Sequence, residues 1–252
     1  MPDAGTSESI PVEEERCDQP PLSVPDAIRA RRAARDFDVR PVPDALLDEI
    51  LDDARRAPSG YNLQPTHFVV VRGERRAALA RAALNQRQIV AAPVTVALVV
   101  DLQVHRNHLE AVLDADRAVG SIDDRYAGFM RRMVRLSFGR GPFGILAAAK
   151  RVTTIVLGRF RAVPAFPAAE PAAWARAQAM LVASHLMLSA ASRGVASCPM
   201  EGFGEVQVRR VLGVPPGYRV ALLIALGYAP DAEVAPRRSR LSLDRLVHRG
   251  RW

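Results

Sequence analysis

The segment WARAQAMLVASHLMLSAASRG, residues 174–194, is apolar or small around almost its whole helical circumference. A helix without a solvated face has to be buried, so it predicts a central element that other structure wraps. Gly194 supplies its stop, since glycine enters the left-handed conformation of a C-terminal cap without steric cost. Three runs read as strands around it: HFVVVRG (67–73), as a buried strand, VTVALVVD (94–101) and RVALLIALGYA (219–229). Their β-branched enrichment and Gly or Pro punctuation carry that reading. VASCPMEGF (195–203) is a fourth, running into a loop.

Helical patterns separate the strands. VPDAIRARRAARDF (24–37) reads as a short helix with Asp26 as its N-cap. PVPDALLDEILDDARRA (41–57) places Leu46, Leu47, Ile50, Leu51 and Ala54 on one stripe, with Asp44 at the start and Pro58 and Gly60 as breakers. ERRAALARAALNQRQIVAAP (74–93), HLEAVLDADRAVG (108–120) and EVQVRRVLGVPPGY (205–218) complete the helical set. Strands divided by helices, with no internal repeat, place the chain in the α+β or α/β class. Residues 1–22 are acidic, lack an apolar stretch and read as a flexible tail, not a secretory signal. Residues 23–252 read as a single domain closing in a basic arm over about 230–252.

Composition narrows the chemistry. With 35 Lys+Arg against 27 Asp+Glu, the formal charge is +8, and nearly all of the positive charge is arginine. That balance suits fixed anion contacts, and nucleic acid, an anionic lipid surface or a phosphorylated cofactor would each satisfy it. Only Cys17 and Cys198 are present, far apart, so neither a disulfide framework nor a zinc site is expected and a reducing cytoplasm is the default setting. His67 and His185 lie in apolar surroundings and read as packing residues.

Four patches hold the candidate chemistry. In RARRAARDF, Arg31 and Arg35 are four apart, so on a helix they share a face and either clamp one anion or sit in water. APSGYNLQP (57–65) is a turn whose polar atoms, on Ser59 and Asn62, have no assigned partner. CPMEGFG (198–204) ends a strand at Glu201 and Gly202, where backbone N–H groups can face a ligand or simply turn the chain. PRRSR brings Arg237, Arg238 and Arg240 near the C-terminus.

The order of these patches, RRxxR-F, PSGxNxQPxxF, a central helix, PMEGF, LG, LGY and PRxR, resembles the FMN-dependent nitroreductase family. The likeness covers roughly residues 24–100 and 172–243. It implies a three-layer α+β fold, a mostly antiparallel central sheet wrapped by helices, in an entwined homodimer with FMN at the subunit interface. By the same resemblance, Arg31, Arg32, Ala33 and Arg35 contact the FMN phosphate and pyrimidine side, joined by Arg238 and Arg240. Ala33 stands where relatives carry a small hydroxyl residue. Pro58, Ser59 and Asn62 match the segment reaching the flavin of the other subunit. Asn85 and Gln88 match the polar pair facing the pyrimidine, where a lysine is common in place of Gln88. Pro199, Met200, Glu201 and Gly202 match the strand end beside flavin N5. The family's chemistry passes a hydride from NADH or NADPH, a transient donor, through N5 to a small acceptor such as a nitroaromatic or quinone. No side-chain acid or base is required, and no metal is expected.

Two alternatives stay open: a specialised flavin dehydrogenase or dehalogenase of the same family, and a basic protein binding nucleic acid or lipid. No recognisable nucleic-acid motif supports the latter. Residues 125–167 depart from the family pattern, rich in Arg and without Asp or Glu. They read as an enlarged lid in which Phe129, Phe138, Phe143 and Phe160, with Tyr61 beside them, line a substrate pocket or pack the lid. GILAAAKRVTTIVLG (144–158) is too short and too charged to span a bilayer, and weak peripheral membrane contact through 125–167 is the remaining lipid reading.

Overall fold

A computed structural model describes residues 20–230 and 239–252. In chain order its elements are α1 (Val24–Ala30), α2 (Asp44–Arg55), β1 (Thr66–Val71), α3 (Arg75–Ala82), α4 (Arg87–Ala91), β2 (Val94–Asp101), α5 (Val104–Asn107) and α6 (Leu109–Ala118). There follow α7 (Asp124–Phe138), α8 (Ile145–Leu157), α9 (Pro171–Ser192), β3 (Ala196–Met200), α10 (Glu205–Leu212) and β4 (Tyr218–Gly227). The four strands form one sheet in the order β1-β2-β4-β3, every neighbour antiparallel.

β2 and β4 occupy the middle and are buried along almost their whole length. Their side chains alternate between two cores, as strand geometry requires. Val94, Val96 and Leu98, with Leu222, Ile224 and Leu226, pack with Leu47, Ile50 and Ala54 of α2 and Val182, Ala183, Leu186 and Ala190 of α9. Ala97, Val99, Leu223 and Ala225 pack on the other face with Leu79, Ile89 and Val208 of α3, α4 and α10. Each fully buried Leu or Ile contributes about 1.5–3 kcal/mol relative to exposure. The result is the three-layer α+β arrangement that the sequence implied.

Several local expectations change. β1 is an edge strand rather than a buried one: most of its residues are half-buried and Val70 is exposed. α9 buries only one side within the chain; Ala173, Ala177, Leu181 and His185 along the other side face outward. Within the single chain His185 is therefore exposed rather than packed, and its Nδ1 lies 3.0 Å from the Leu181 carbonyl on that outer side. The cap of α1 is Ser23, whose hydroxyl accepts from the Asp26 amide. The 74–93 segment breaks into α3 and α4 at Leu84 and Asn85, both with positive φ. The 125–167 block folds as α7 and α8 joined by a tight turn over 139–144.

The expected tail falls almost wholly on residues outside the described ones. Residues 239–252 are exposed and hold one short turn of helix, Leu243–Arg245.

Candidate functional site

The basic motif is not helical. α1 ends at Ala30, and Arg31 already has extended backbone. Beyond it the chain runs beside β3: Ala33 forms a parallel bridge with Ser197, and the Ala34 amide donates to the Ser197 carbonyl at 3.0 Å. Pairing with a strand edge offers these amides fixed acceptors, which outweighs the modest helix preference of Ala and Arg. The shared helical face expected for Arg31 and Arg35 does not exist. Among the described residues, neither forms an ion pair.

Three segments nonetheless converge here. Arg35 and the Gln88 side chain both lie close enough to Cys198 to act on its thiol. Burial raises the Cys198 pKa above its ordinary value, while Arg35 and Gln88 oppose that shift. Arg87 pairs with Asp36, tying the start of α4 to the strand-like basic segment. Gln86 Nε2 donates to the Gly202 carbonyl at 2.6 Å, tying the same turn to the end of β3. Arg31–Arg35, Asn85–Gln88 and Pro199–Gly202 thus share one edge of the sheet. Glu201 is exposed and reaches Arg176 of α9 at 3.5 Å.

Gly202 is informative. A Cβ built on it would touch only Gln86 Nε2, at 4.0 Å, and its φ is not in the left-handed region. Nothing among the described residues demands glycine there. A bare backbone on the same sheet edge as Arg31 and Arg35 suits a ligand that needs close approach and carries negative charge.

The loop that follows α2 lies elsewhere. Tyr61, Asn62 and Gln64 all have positive φ, at 58°, 53° and 51°. Each such non-glycine residue costs roughly 1–2 kcal/mol, so the surroundings must hold the loop. Ser59 Oγ accepts from the Gln64 amide at 2.9 Å, and the Gly60 amide donates to Gln178 Oε1 at 2.9 Å. Gly60 lies against the Trp174 ring, where a Cβ would approach to 3.2 Å. The Tyr61 hydroxyl meets Ser137 Oγ at 2.7 Å. Leu63 is fully buried and Asn62 is left at the surface.

This loop precedes β1, whereas the Arg35–Gly202 cluster sits on β3, and the two strands are the opposite edges of the sheet. Three interstrand spacings separate them, about 14 Å. The two halves of the site expected from sequence therefore do not meet within one chain. Arg240 is exposed, its Nη1 donating to the Ser239 carbonyl, and Arg238 lies outside the described residues.

The lid aromatics divide by burial. Phe138 is 3% exposed, with ring contacts to Trp174 at 4.9 Å, His105 at 5.1 Å and Tyr61 at 6.1 Å, so it packs the base of the lid. Phe129, Phe143 and Phe160 project into solvent. A cavity of about 400 Å³ opens between α8 and α9, lined by Arg151, Ile155, Phe166 and Trp174 among others. Sequence reasoning did not single out that cavity or the backbone strain at Tyr61 and Gln64. Paired Asn and Gln beside a glycine were the available signal for the latter.

Comparison with known proteins agrees with this architecture. The model of the Nitroreductase family matches residues 28–228, and the chain belongs to that family. A Thermus thermophilus protein named NADH dehydrogenase is 33% identical over 229 residues, covering 90% of this chain and 96% of its own. A nitroreductase family structure from Streptococcus pneumoniae superposes with a TM-score of 0.67 at 25% identity, covering 90% of this chain and 99% of that one. A protein from Exiguobacterium sibiricum, assigned as a nitroreductase and solved in complex with FMN, superposes with a TM-score of 0.69 at 22% identity, covering 91% and 98%.

Proposed function

We propose that the chain is an FMN-dependent NAD(P)H oxidoreductase, working as a homodimer that reduces a small organic acceptor. The observation that carries this is the cluster on the β3 edge: Arg31 and Arg35, which form no ion pair among the described residues, the amides of Asn85 and Gln88, and an unfilled Gly202. Its chemistry fits the parts of FMN. Arg31 and Arg35, with Arg32 beside them, supply charge-assisted contacts to a phosphate, and the family resemblance would add Arg238 and Arg240 to the same group. Ala33 offers only backbone. Asn85 and Gln88 present amides to a pyrimidine edge. Pro199, Met200, Glu201 and Gly202 offer backbone N–H groups and room for a flat ring. When bound, FMN would supply the redox chemistry, hydride transfer between a nicotinamide and the acceptor, and these residues would hold and orient it.

A second subunit resolves the separation of the two half-sites. The outward side of α9, with Ala173, Ala177 and Leu181 exposed in the single chain, is the face we assign to that subunit. Pro58, Ser59 and Asn62 of one chain would then face the cluster of the other. The acceptor enters beneath α7 and α8, with Tyr61, Phe129 and Phe143 on its approach. Donor and acceptor share one site in turn, so ping-pong kinetics are expected. Gln88 is neutral, so it stabilises a reduced-flavin anion less than a lysine would.

The visible spectrum of the purified protein tests this reading. A flavin band bleached by NADH or NADPH and restored by a nitroaromatic or quinone is expected. A protein that stays colourless after incubation with FMN refutes it. Among the described residues, no helix is long and apolar enough to cross a membrane. The exposed Ile145, Val152, Ile155 and Val156 of α8, among the basic residues of 125–167, favour a peripheral contact with anionic lipid. Sedimentation with anionic vesicles, with and without that block, reads it out; equal and negligible binding removes it.

A further inference from the structure

Away from the β3 edge, His67 of β1, Asp101 at the end of β2 and His108 between α5 and α6 converge. A ring nitrogen of each histidine and a carboxylate oxygen of Asp101 all lie within 4.8 Å of one another. Their hydrogen bonding leaves a ring nitrogen of each histidine unengaged beside the shared space. His108 Nδ1 is 3.0 Å from the Leu63 carbonyl, which can only accept, so Nδ1 carries the proton and Nε2 is a free donor of electrons. His67 Nε2 is buried with no hydrogen-bond partner. Asp101 is 1% exposed, and its two oxygens accept from the Gln103 amide and the Asn107 side chain, each at 2.7 Å. Both donors are neutral, and among the described residues Asp101 forms no ion pair with Lys or Arg. A carboxylate buried without a cation is costly, and a buried ring nitrogen without a partner beside it adds to that cost.

We propose that His67, Asp101 and His108 form a binding site for one divalent transition-metal ion of the zinc class. Two imidazoles and a carboxylate are a borderline donor set, suited to Zn²⁺, Co²⁺ or Fe²⁺ rather than to Ca²⁺ or Mg²⁺. Ligand bonds of about 2.0–2.1 Å require donor atoms about 3.3 Å apart, so the groups have to close by no more than roughly 1.5 Å. Rotation of the two half-buried rings, which meet edge to face at 5.3 Å between centroids, supplies that movement. Both histidines line a cavity of about 560 Å³ that also includes Ser59, Gln64 and Gln178. The ion has an entry path there, and a fourth position remains for water. Because the Leu63 carbonyl orients His108, an ion here braces the strained loop at Tyr61–Gln64 against the sheet edge.

The test uses the full chain, stripped with a chelator, and reads metal directly. Co²⁺ titrated into the protein is expected to give d–d absorption that saturates at one equivalent, with Zn²⁺ displacing it and raising the melting temperature. His67→Gln and His108→Gln are each expected to weaken Zn²⁺ binding at least about tenfold, as loss of a metal-site partner does. Both substitutions keep a neutral polar side chain, and the melting temperature of the metal-free variants checks their folding. Absence of saturable Co²⁺ binding by the wild-type chain overturns the proposal. So does binding that survives in both variants, which would place the ion on an exposed residue such as His185 or His248. If either variant fails to fold, the wild-type Co²⁺ spectrum decides alone, since two nitrogen donors and a carboxylate give bands distinct from aqueous Co²⁺.

Discussion

Substituting Gly202→Ala separates the needs of the fold from those of a ligand. In the chain alone, the new methyl would sit 4.0 Å from Gln86 Nε2, ordinary van der Waals contact, with no other non-neighbouring atom of the described residues within that range. The backbone there is compatible with any residue, so alanine should stabilise slightly, by about 0.4–1 kcal/mol, through a less flexible unfolded chain. For a chain of this size, that raises the melting temperature of the ligand-free protein by at most about 4 °C. With a flavin ring packed on the same backbone, the methyl occupies filled space, and overpacking of that kind costs about 1–3 kcal/mol. FMN affinity is then expected to fall about 5- to 150-fold. Quenching of FMN fluorescence by added apoprotein gives the affinity, and calorimetry of the apoprotein gives the stability. Unchanged affinity would refute the reasoning. A variant that lost affinity and melting temperature together would show the glycine to be a structural requirement instead. Gly227→Ala is the contrasting case: its Cβ would collide with Pro93 Cδ at 2.6 Å and Phe37 at 2.9 Å, and the apoprotein itself should lose stability.

Three further outcomes are expected. Gln88→Lys should raise the midpoint potential of bound FMN in a redox titration, and an identical midpoint would show that residue 88 does not face the flavin. Asn62→Ala and Asn62→Gly should both weaken FMN retention, while only alanine also lowers the melting temperature, because residue 62 has a φ of 53°. Full flavin retention by both would remove Asn62 from the site. In a Cys17→Ser background, Cys198 should resist iodoacetamide near neutral pH, since it is 4% exposed and burial raises its pKa, leaving little thiolate. Rapid alkylation followed by mass spectrometry would contradict that burial.

The elements legible from sequence were those decided by local pattern. The stripe of α2 and the apolar runs of β2 and β4 fixed themselves, because burial on their faces follows from composition alone. The motif at Arg31–Arg35 misled because its alanines and arginines favour a helix, whereas Ser197 on a strand about 160 residues later offers its backbone. Leu84 and Asn85 break a helical pattern through left-handed backbone that neither residue type announces. The edge position of β1 follows from strand order, a nonlocal property. The family motifs, read together, named most of the residues now placed at the β3 edge. The His67–Asp101–His108 grouping had no motif because its members come from a strand, a strand end and a helix junction.

The placement of the two half-sites on opposite sheet edges has a genetic consequence. If each flavin is held by the cluster of one subunit and the loop of its partner, damage to either half inactivates every site in a pure dimer. An Arg35 mutant and an Asn62 mutant made together in one cell would form mixed dimers. In each mixed dimer both lesions fall on one site and the other is intact. With random pairing, about one site in four recovers, so two silent alleles would restore activity to each other.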